Sequence, residues 1–217
     1  KPNFGRVPQW PAENPFTTLV AGGPIARNVR DAALMLGEMA KPDRRDWYAM
    51  PYDGRDWTAG LADGVQDLKI AFAPGLGGAQ PDDEILAPVG RAADAMAALG
   101  ATVEEVGPVI TPLEPDFGDY WIAAFASLLR QVPRAQWDDL DPDFRRLAEA
   151  GLEVGMGAYV QAMEARARLG ARMNAFHADY DLLFTPTQPT PPPPADTIYH
   201  SAAYDRFRHA VPYTLPF

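Results

Sequence analysis

The chain has 217 residues, of which 47% are hydrophobic and 22% charged, with a formal net charge of −10 and no cysteine. That length and composition suit one globular domain, with room for a lobe and a substantial buried core. The acidic balance excludes a nucleic-acid surface. No apolar run approaches the roughly 20 residues of a bilayer span, and the lack of cysteine excludes disulfides and thiolate chemistry.

Residues 1–26 are rich in Pro and Gly. Their short apolar pieces, Phe4–Val7 and Phe16–Ala21, predict short strands or loops closed by Gly22-Gly23-Pro24. From Asn28 an amphipathic helix is expected, with Val29, Ala32, Ala33, Leu36 and Met39 on one face. Asn28 suits its N-cap, Asp31 falls in the first turn, and Pro42 stops it. Residues 43–66 read as a surface connector with a near-duplication, Arg45-Asp46-Trp47 and Arg55-Asp56-Trp57. Two copies do not make a solenoid, and two tryptophans pinning a loop to the core is the expectation.

Residues 67–107 form a βαβ pattern. Leu68–Ala73 is a strand, Pro74–Gln80 a Gly-rich turn, and Pro81-Asp82-Asp83-Glu84 the acidic start of a helix. That helix should turn Ile85, Leu86, Val89, Ala93, Met96 and Leu99 inward and end at Gly100, before a strand at Thr102–Val106. A crossover of this length implies parallel, right-handed pairing. Residues 108–180 read as a helical lobe. Tyr120, Trp121, Ala124, Phe125, Leu128, Leu129 and Val132 share one face, ended by Pro133. After an acidic connector, Met156, Tyr159, Val160, Met163, Ala167, Met173 and Phe176 mark a long helix. Residues 181–217 then hold a short buried strand from Leu182 and an exposed proline-rich loop to Pro194. Helices on the faces of a mostly parallel sheet define an α/β fold. In open α/β sheets substrates sit beyond the carboxyl ends of strands, so this loop is a candidate pocket rim.

Residues able to do chemistry are few. The serines are Ser127 and Ser201, and the lysines Lys1, Lys41 and Lys69. Ser127 lies in an apolar helix, where a hydroxyl bonds back to its own backbone. Ser201 adjoins His200, but sequence neighbours rarely point together as nucleophile and base must. The turn Gly75-Leu76-Gly77-Gly78 fails as a dinucleotide loop, because Gln80 stands where the third Gly belongs and three acids follow. Asp139-x-Asp141-x-Asp143 has EF-hand spacing, yet Phe144 replaces the required Gly and Ala150 the required Glu. It reads as a solvated corner capping a helix, and His177, Asp179 and Asp181 as a helix-end cap. Pro189–Pro194 reads as a stiff loop rather than an SH3-type ligand. No metal and no cofactor is expected.

Several blocks resemble the amidase signature family. They are Lys1-Pro2-Asn3-Phe4-Gly5-Arg6-Val7-Pro8, Gly23-Pro24-Ile25-Ala26-Arg27-Asn28-Val29-Arg30-Asp31-Ala32-Ala33, and Leu68-Lys69-Ile70-Ala71-Phe72-Ala73-Pro74. Leu99-Gly100-Ala101-x-Val103-Glu104, Asp179–Thr187 and the closing Pro212-Tyr213-Thr214-Leu215-Pro216-Phe217 follow in order. The resemblance covers the whole chain and implies that it is one partial amidase domain with a largely parallel sheet. The family hydrolyses or transfers amide groups with a Ser–cis-Ser–Lys triad placed before the first of these blocks, so no catalytic residue is assigned here. The chain opens without an initiator Met or targeting segment and ends without a polar tail. It is therefore expected to be a portion of a longer protein, inactive alone.

The resemblance implies a small amide substrate for the intact enzyme, no nucleic acid or membrane contact, and a cytoplasmic location. Tyr120, Trp121 and Phe125 lie where substrate-contacting side chains vary among members and are the candidate substrate-binding residues, with plain core packing as the competing reading. Arg27 and Asp31 resemble scaffold residues. Two other readings stand beside the free amidase. In the A subunit of the glutamyl-tRNA(Gln) amidotransferase an arginine-rich segment precedes the long helix; here that place reads Leu152-Glu153-Val154-Gly155-Met156-Gly157-Ala158-Tyr159, without arginine. A non-catalytic interaction domain is the third. A sheet cut short should also expose an edge or apolar face, so homo-oligomerisation is expected.

Overall fold

A computed structural model describes residues 1–11, 13–110, 115–192 and 213–214. His200 and Ser201, the end of the proline loop from Pro193 and the closing Leu215-Pro216-Phe217 lie outside the described residues. The chain divides into two units, Lys1–Gly64 and Val65–Phe217.

The first unit has one α-helix, α1 (Val29–Met39), and one 3-10 turn at Thr17–Leu19. Otherwise its described residues form turns and loops, so Phe4–Val7 and Phe16–Ala21 are loops rather than strands. Asn28 caps α1 reciprocally. Its Oδ1 accepts the Asp31 amide at 2.8 Å and its Nδ2 donates to Asp31 Oδ2 at 2.8 Å, an arrangement that contributes about 1 kcal/mol. Ala32, Ala33, Leu36 and Met39 face inward, but Val29 is 70% exposed. It sits at the first helical position, where the stripe has not yet reached the rest of the unit.

The duplication in the connector is a structural repeat, and it is longer than the tripeptides suggest. It reads Asp43-x-Arg45-Asp46-Trp47 and Asp53-x-Arg55-Asp56-Trp57. In each copy the first Asp accepts the amide two residues on, Arg45 at 3.0 Å and Arg55 at 3.1 Å. The second Asp does the same for Tyr48 and Thr58, both at 2.8 Å. These are consecutive Asx turns, built by short acidic side chains competing for the backbone. The two tryptophans then part. Trp57 is half-buried, with the Arg6 and Arg55 guanidiniums 5.3 and 5.0 Å from its ring centre and Gly37 of α1 beside it. Trp47 is 76% exposed and stacks on Tyr48. Only the second tryptophan pins its loop.

The second unit contains β1 (Lys69–Phe72), α2 (Asp83–Ala98), β2 (Thr102–Glu105), α3 (Pro115–Leu129), α4 (Pro142–Leu152), α5 (Met156–Phe176) and β3 (Leu182–Phe184). The strands form one parallel sheet in the order β2-β1-β3, Ile70 pairing with Val103 on one side and Leu182 on the other. An α/β fold with a small parallel sheet flanked by helices is thus what the chain adopts. α2 ends in a Schellman cap. Gly100 takes φ +104, the Ala101 amide reaches Met96 O at 3.1 Å, and the Gly100 amide reaches Ala97 O at 3.0 Å. Leu99, expected inside, is 62% exposed, because the helix turns away at this cap.

Side chains tie the start of β1 to β2 and to the segment before β3. Asp181 accepts the Lys69 amide at 2.8 Å, and Tyr180 donates to Glu104 at 2.8 Å. Lys69 lies 4.5 Å from the centre of the Tyr180 ring and 3.6 Å from Glu104. Leu182 is half exposed on β3, so that strand is less enclosed than its apolar run suggests.

Helix α4 and the preceding 3-10 segment Arg134–Asp139 occupy what the sequence suggests is an acidic connector. Asp141 caps α4 by accepting the Asp143 and Phe144 amides at 3.0 and 2.9 Å, and Pro142 follows as the first helical residue. α4 packs closely on α3. A Cβ added at Gly151 would lie 2.2 Å from Ile122 O, so the crossing requires glycine. Leu129, Trp137 and Ala148 form the core of this lobe, with Phe125, Phe144 and Leu152 around them. On α5 the buried residues are Ala162, Leu169 and Met173. Met156, Val160 and Met163 face outward, with Met156 79% exposed. Met173 is buried and Tyr159 and Phe176 are half-buried as expected, so the inward face departs from the expected one mainly in the first half of the helix.

Candidate active-site rim

The three parallel strands release the chain at one edge, where side-chain and backbone bonds lace their exits together. Past β1, Ala73 donates to Phe184 O of β3 at 2.9 Å. The turn Leu76-Gly77-Gly78-Ala79 is closed by the Ala79 amide on Leu76 O at 3.0 Å, with φ of 60 and 81 at the two glycines. Positive φ at both central positions makes it a type I′ turn, which glycine adopts without strain. Gly77 then donates to Ile110 O at 3.1 Å, tying the exit of β1 to the segment after β2. Asp82, just before α2, donates to Pro189 O at 2.8 Å, tying the same region to the loop after β3.

The loop after β3 divides into buried and exposed positions. Pro186 and Pro189 are buried, while Thr187, Gln188 and Thr190 are exposed. The prolines anchor the strand exit, and the polar side chains between them form the rim. Thr185 turns its hydroxyl to Pro186 O at 2.9 Å. Beneath the edge lies a cluster of Leu76, Ile110, Leu169, Met173 and Tyr213, with Val109, Phe176 and Leu183 packed against it. Rigid backbone over a packed core at the carboxyl edge of a parallel sheet suits a binding surface.

Tyr120 is buried and meets Tyr159 of α5 edge-on, ring centres 5.2 Å apart. Trp121 and Phe125, both half-buried, meet edge-on at 6.1 Å, and Phe125 in turn meets Phe144 of α4 at 5.9 Å. The structure brings Trp121 and Phe125 together, and joins Phe125 to the packing of the helical lobe. Ser127 points to an exposed position on α3. Asp141 and Asp181 spend their oxygens on backbone amides, and His177 Nδ1 lies 3.1 Å from Tyr180 O. Asp141 is a helix cap, whereas Asp181, expected at a helix end, instead fastens the start of β1.

Sequence reasoning missed Tyr213. Its hydroxyl donates to Pro74 O at 2.7 Å, across 139 residues of chain. A single tyrosine in an apolar closing block is the one signal that could have drawn attention to it.

An α/β chain whose parallel strands present a laced carboxyl edge is the class that these features define. The family model described as Amidase matches residues 1–216, so the chain belongs to the amidase family, as its motif blocks lead one to expect. It is 32% identical over 194 residues to an acylamidase of Rhodococcus erythropolis, covering 86% of this chain and 40% of that protein. It is 34% identical over 139 residues to the A subunit of the glutamyl-tRNA(Gln) amidotransferase of Salinibacter ruber, covering 62% of this chain and 26% of that one. The solved structure of a bacterial aryl acylamidase of the amidase signature family aligns with TM-score 0.71 and 29% identity over 87% of this chain and 41% of its own. A 6-aminohexanoate cyclic dimer hydrolase aligns over all of this chain and 50% of its own with TM-score 0.80, and at 20% identity that likeness shows the fold alone. The chain thus spans half or less of the length of these relatives. Among the described residues no helix is long and apolar enough to cross a membrane.

Proposed function

We propose that this chain is the C-terminal portion of an enzyme that hydrolyses carboxylic amides to an acid and ammonia or an amine. The 32% identity to an acylamidase over 86% of the chain carries the reading. In the complete protein a serine outside residues 1–217 attacks the amide carbonyl, and ammonia or amine departs with a proton relayed through lysine and the bridging serine. Water then cleaves the acyl-enzyme. The described chain contributes a wall and rim: the laced carboxyl edge, and on α3 Trp121, with Tyr120 and Phe125 placing it. A small-molecule amide is the substrate class, and the cytoplasm the compartment.

The junction between α4 and α5, Glu153-Val154-Gly155, carries no arginine, which supports a free amidase over the amidotransferase reading. The experiment is to assay both forms with a chromogenic anilide. The complete protein is expected to turn it over without partner proteins, and the 217-residue chain to give no turnover. Turnover by the chain alone, or glutaminase activity seen only with partner proteins, would overturn the reading.

A further inference from the structure

The Tyr213 phenol is enclosed at the rim. It is 3% exposed and packs in the cluster of Leu76, Ile110, Leu169 and Met173. A buried hydroxyl needs partners, because without them it gives up its hydration for nothing in return. This one donates to Pro74 O at 2.7 Å. Pro74 is the second residue past β1, beyond the ladder, so its carbonyl has left the sheet. Burial pushes the Tyr213 phenol above the ordinary tyrosine value, and the nearby Leu76 backbone works in the opposite direction. Tyr213 therefore meets both ends of the tripeptide Pro74-Gly75-Leu76, its hydroxyl bonded to the Pro74 carbonyl and its side chain in the same buried cluster as Leu76. The centre of that tripeptide is crowded. A Cβ added at Gly75 would lie 3.2 Å from the Gln80 side-chain nitrogen and 3.3 Å from Ala79 O, so the Gln80 amide is folded over the turn.

We propose that Tyr213 is a positioning residue that clamps Pro74-Gly75-Leu76 and so fixes the exit of the central strand where the amide substrate binds. The role rests on the amidase reading above. The clamp is needed because β1 is the strand through which both neighbours pair, so a shift at its exit moves the Gly77–Ile110 and Asp82–Pro189 bonds together. A displacement of about 1 Å in a positioning element is enough to weaken substrate binding severalfold or more.

The test is Tyr213→Phe in the complete protein, which removes one hydroxyl and keeps the ring in its cluster. Amide hydrogen exchange at Gly77, whose amide is bonded to Ile110 O, should accelerate about tenfold. KM for the anilide should rise about tenfold, with kcat within about twofold, as expected when ground-state positioning is lost. A purely structural role would lower the melting temperature and the active fraction and leave KM unmoved. Unchanged exchange at Gly77, or unchanged KM in the folded variant, would overturn the proposal. An unsubstituted complete protein without anilide turnover would instead overturn the amidase reading on which the role depends, and assaying it first tells the two failures apart.

Discussion

The two units of the chain are built on different physics. Residues 1–64 carry eight basic and eight acidic residues, and residues 65–217 carry eleven and 21, so the whole net charge of −10 resides in the second. In the first, one helix is surrounded by turns held by Asp side chains on backbone amides and by arginines over tryptophans. In the second, a parallel ladder and helix crossings carry the structure, and charge is left to the surface. Balanced charge lets the first unit use ion pairs and Asx turns as its framework. The second unit also sets acids on backbone amides and cations, at Asp141, Asp181 and Glu104, but places them around a closely packed ladder and helix crossings.

The largest effect should come where packing is closest. At Gly151 an alanine Cβ would meet the Ile122 carbonyl of α3 at 2.2 Å, and backbone cannot swing aside as a flexible side chain can. Gly151→Ala is expected to cost about 3 kcal/mol, lowering the melting temperature by roughly 6–12 °C for a chain of this size. Gly170, in the middle of α5, has nothing within 4 Å of an added Cβ. Gly170→Ala should therefore stabilise by about 0.5–1 kcal/mol. Thermal denaturation of the pair checks both signs. Equal destabilisation by the two would mean that helix-crossing distance does not govern this unit.

The next effect belongs to the first unit and uses its internal repeat. Trp57 is half-buried between two guanidiniums and α1, while Trp47 occupies the equivalent turn position and projects outward. Trp57→Ala should cost about 2 kcal/mol and Trp47→Ala no more than about 0.5 kcal/mol. Urea titration reads the difference as a shift in midpoint at constant slope. A larger loss at Trp47 would show that the outer copy is the anchoring one.

The same contrast explains what could be read in advance. Helices α1 and α2 carry punctuation that acts locally, Asn28 with Asp31 at one start and Gly100 at one end, and their bounds follow from it. The strands follow from short apolar runs beside turns. α4 was hidden because its acids read as a connector, although Asp141-Pro142 is a helix start and Phe144, Ala148 and Gly151 recur at helical spacing. On α5, hydrophobicity points only partly the right way, since Met173 is buried as expected. Alanine at 162 fills the crossing while the larger Met156 and Met163 stay outside, since a close helix contact selects small residues over apolar ones. The rim was legible as a strand exit. Tyr213 was not, because its partner lies 139 residues away and no local pattern records that distance.

The smallest effect distinguishes the two units by pH. The Arg45 guanidinium, hydrogen-bonded to Asp43, holds that carboxyl down to about 2, against an ordinary 3.8. The Arg55 amide lowers Asp53, and the Thr58 hydroxyl lowers Asp56. A carboxyl whose ionisation is depressed on folding stabilises the folded form above its unfolded value, and that contribution is lost as pH falls through the folded value. The Asx turns of residues 43–58 should therefore loosen between about pH 4 and pH 2. In the second unit the shifts run the other way. Donation to Glu104 raises Tyr180, and burial raises Tyr213. Their contribution is complete below about pH 10 and disappears as pH rises beyond it. Hydrogen exchange, corrected for its intrinsic pH dependence, should show the Arg45, Tyr48, Arg55 and Thr58 amides losing protection in acid while Ile70 and Ala71 keep theirs. Above pH 10, protection should fall at Lys69 and Gly77 first. These aspartates are exposed, so the acid effect stays local. Simultaneous loss of protection at residues 43–58 and in β1 would mean that the carboxylates support more than their own turns.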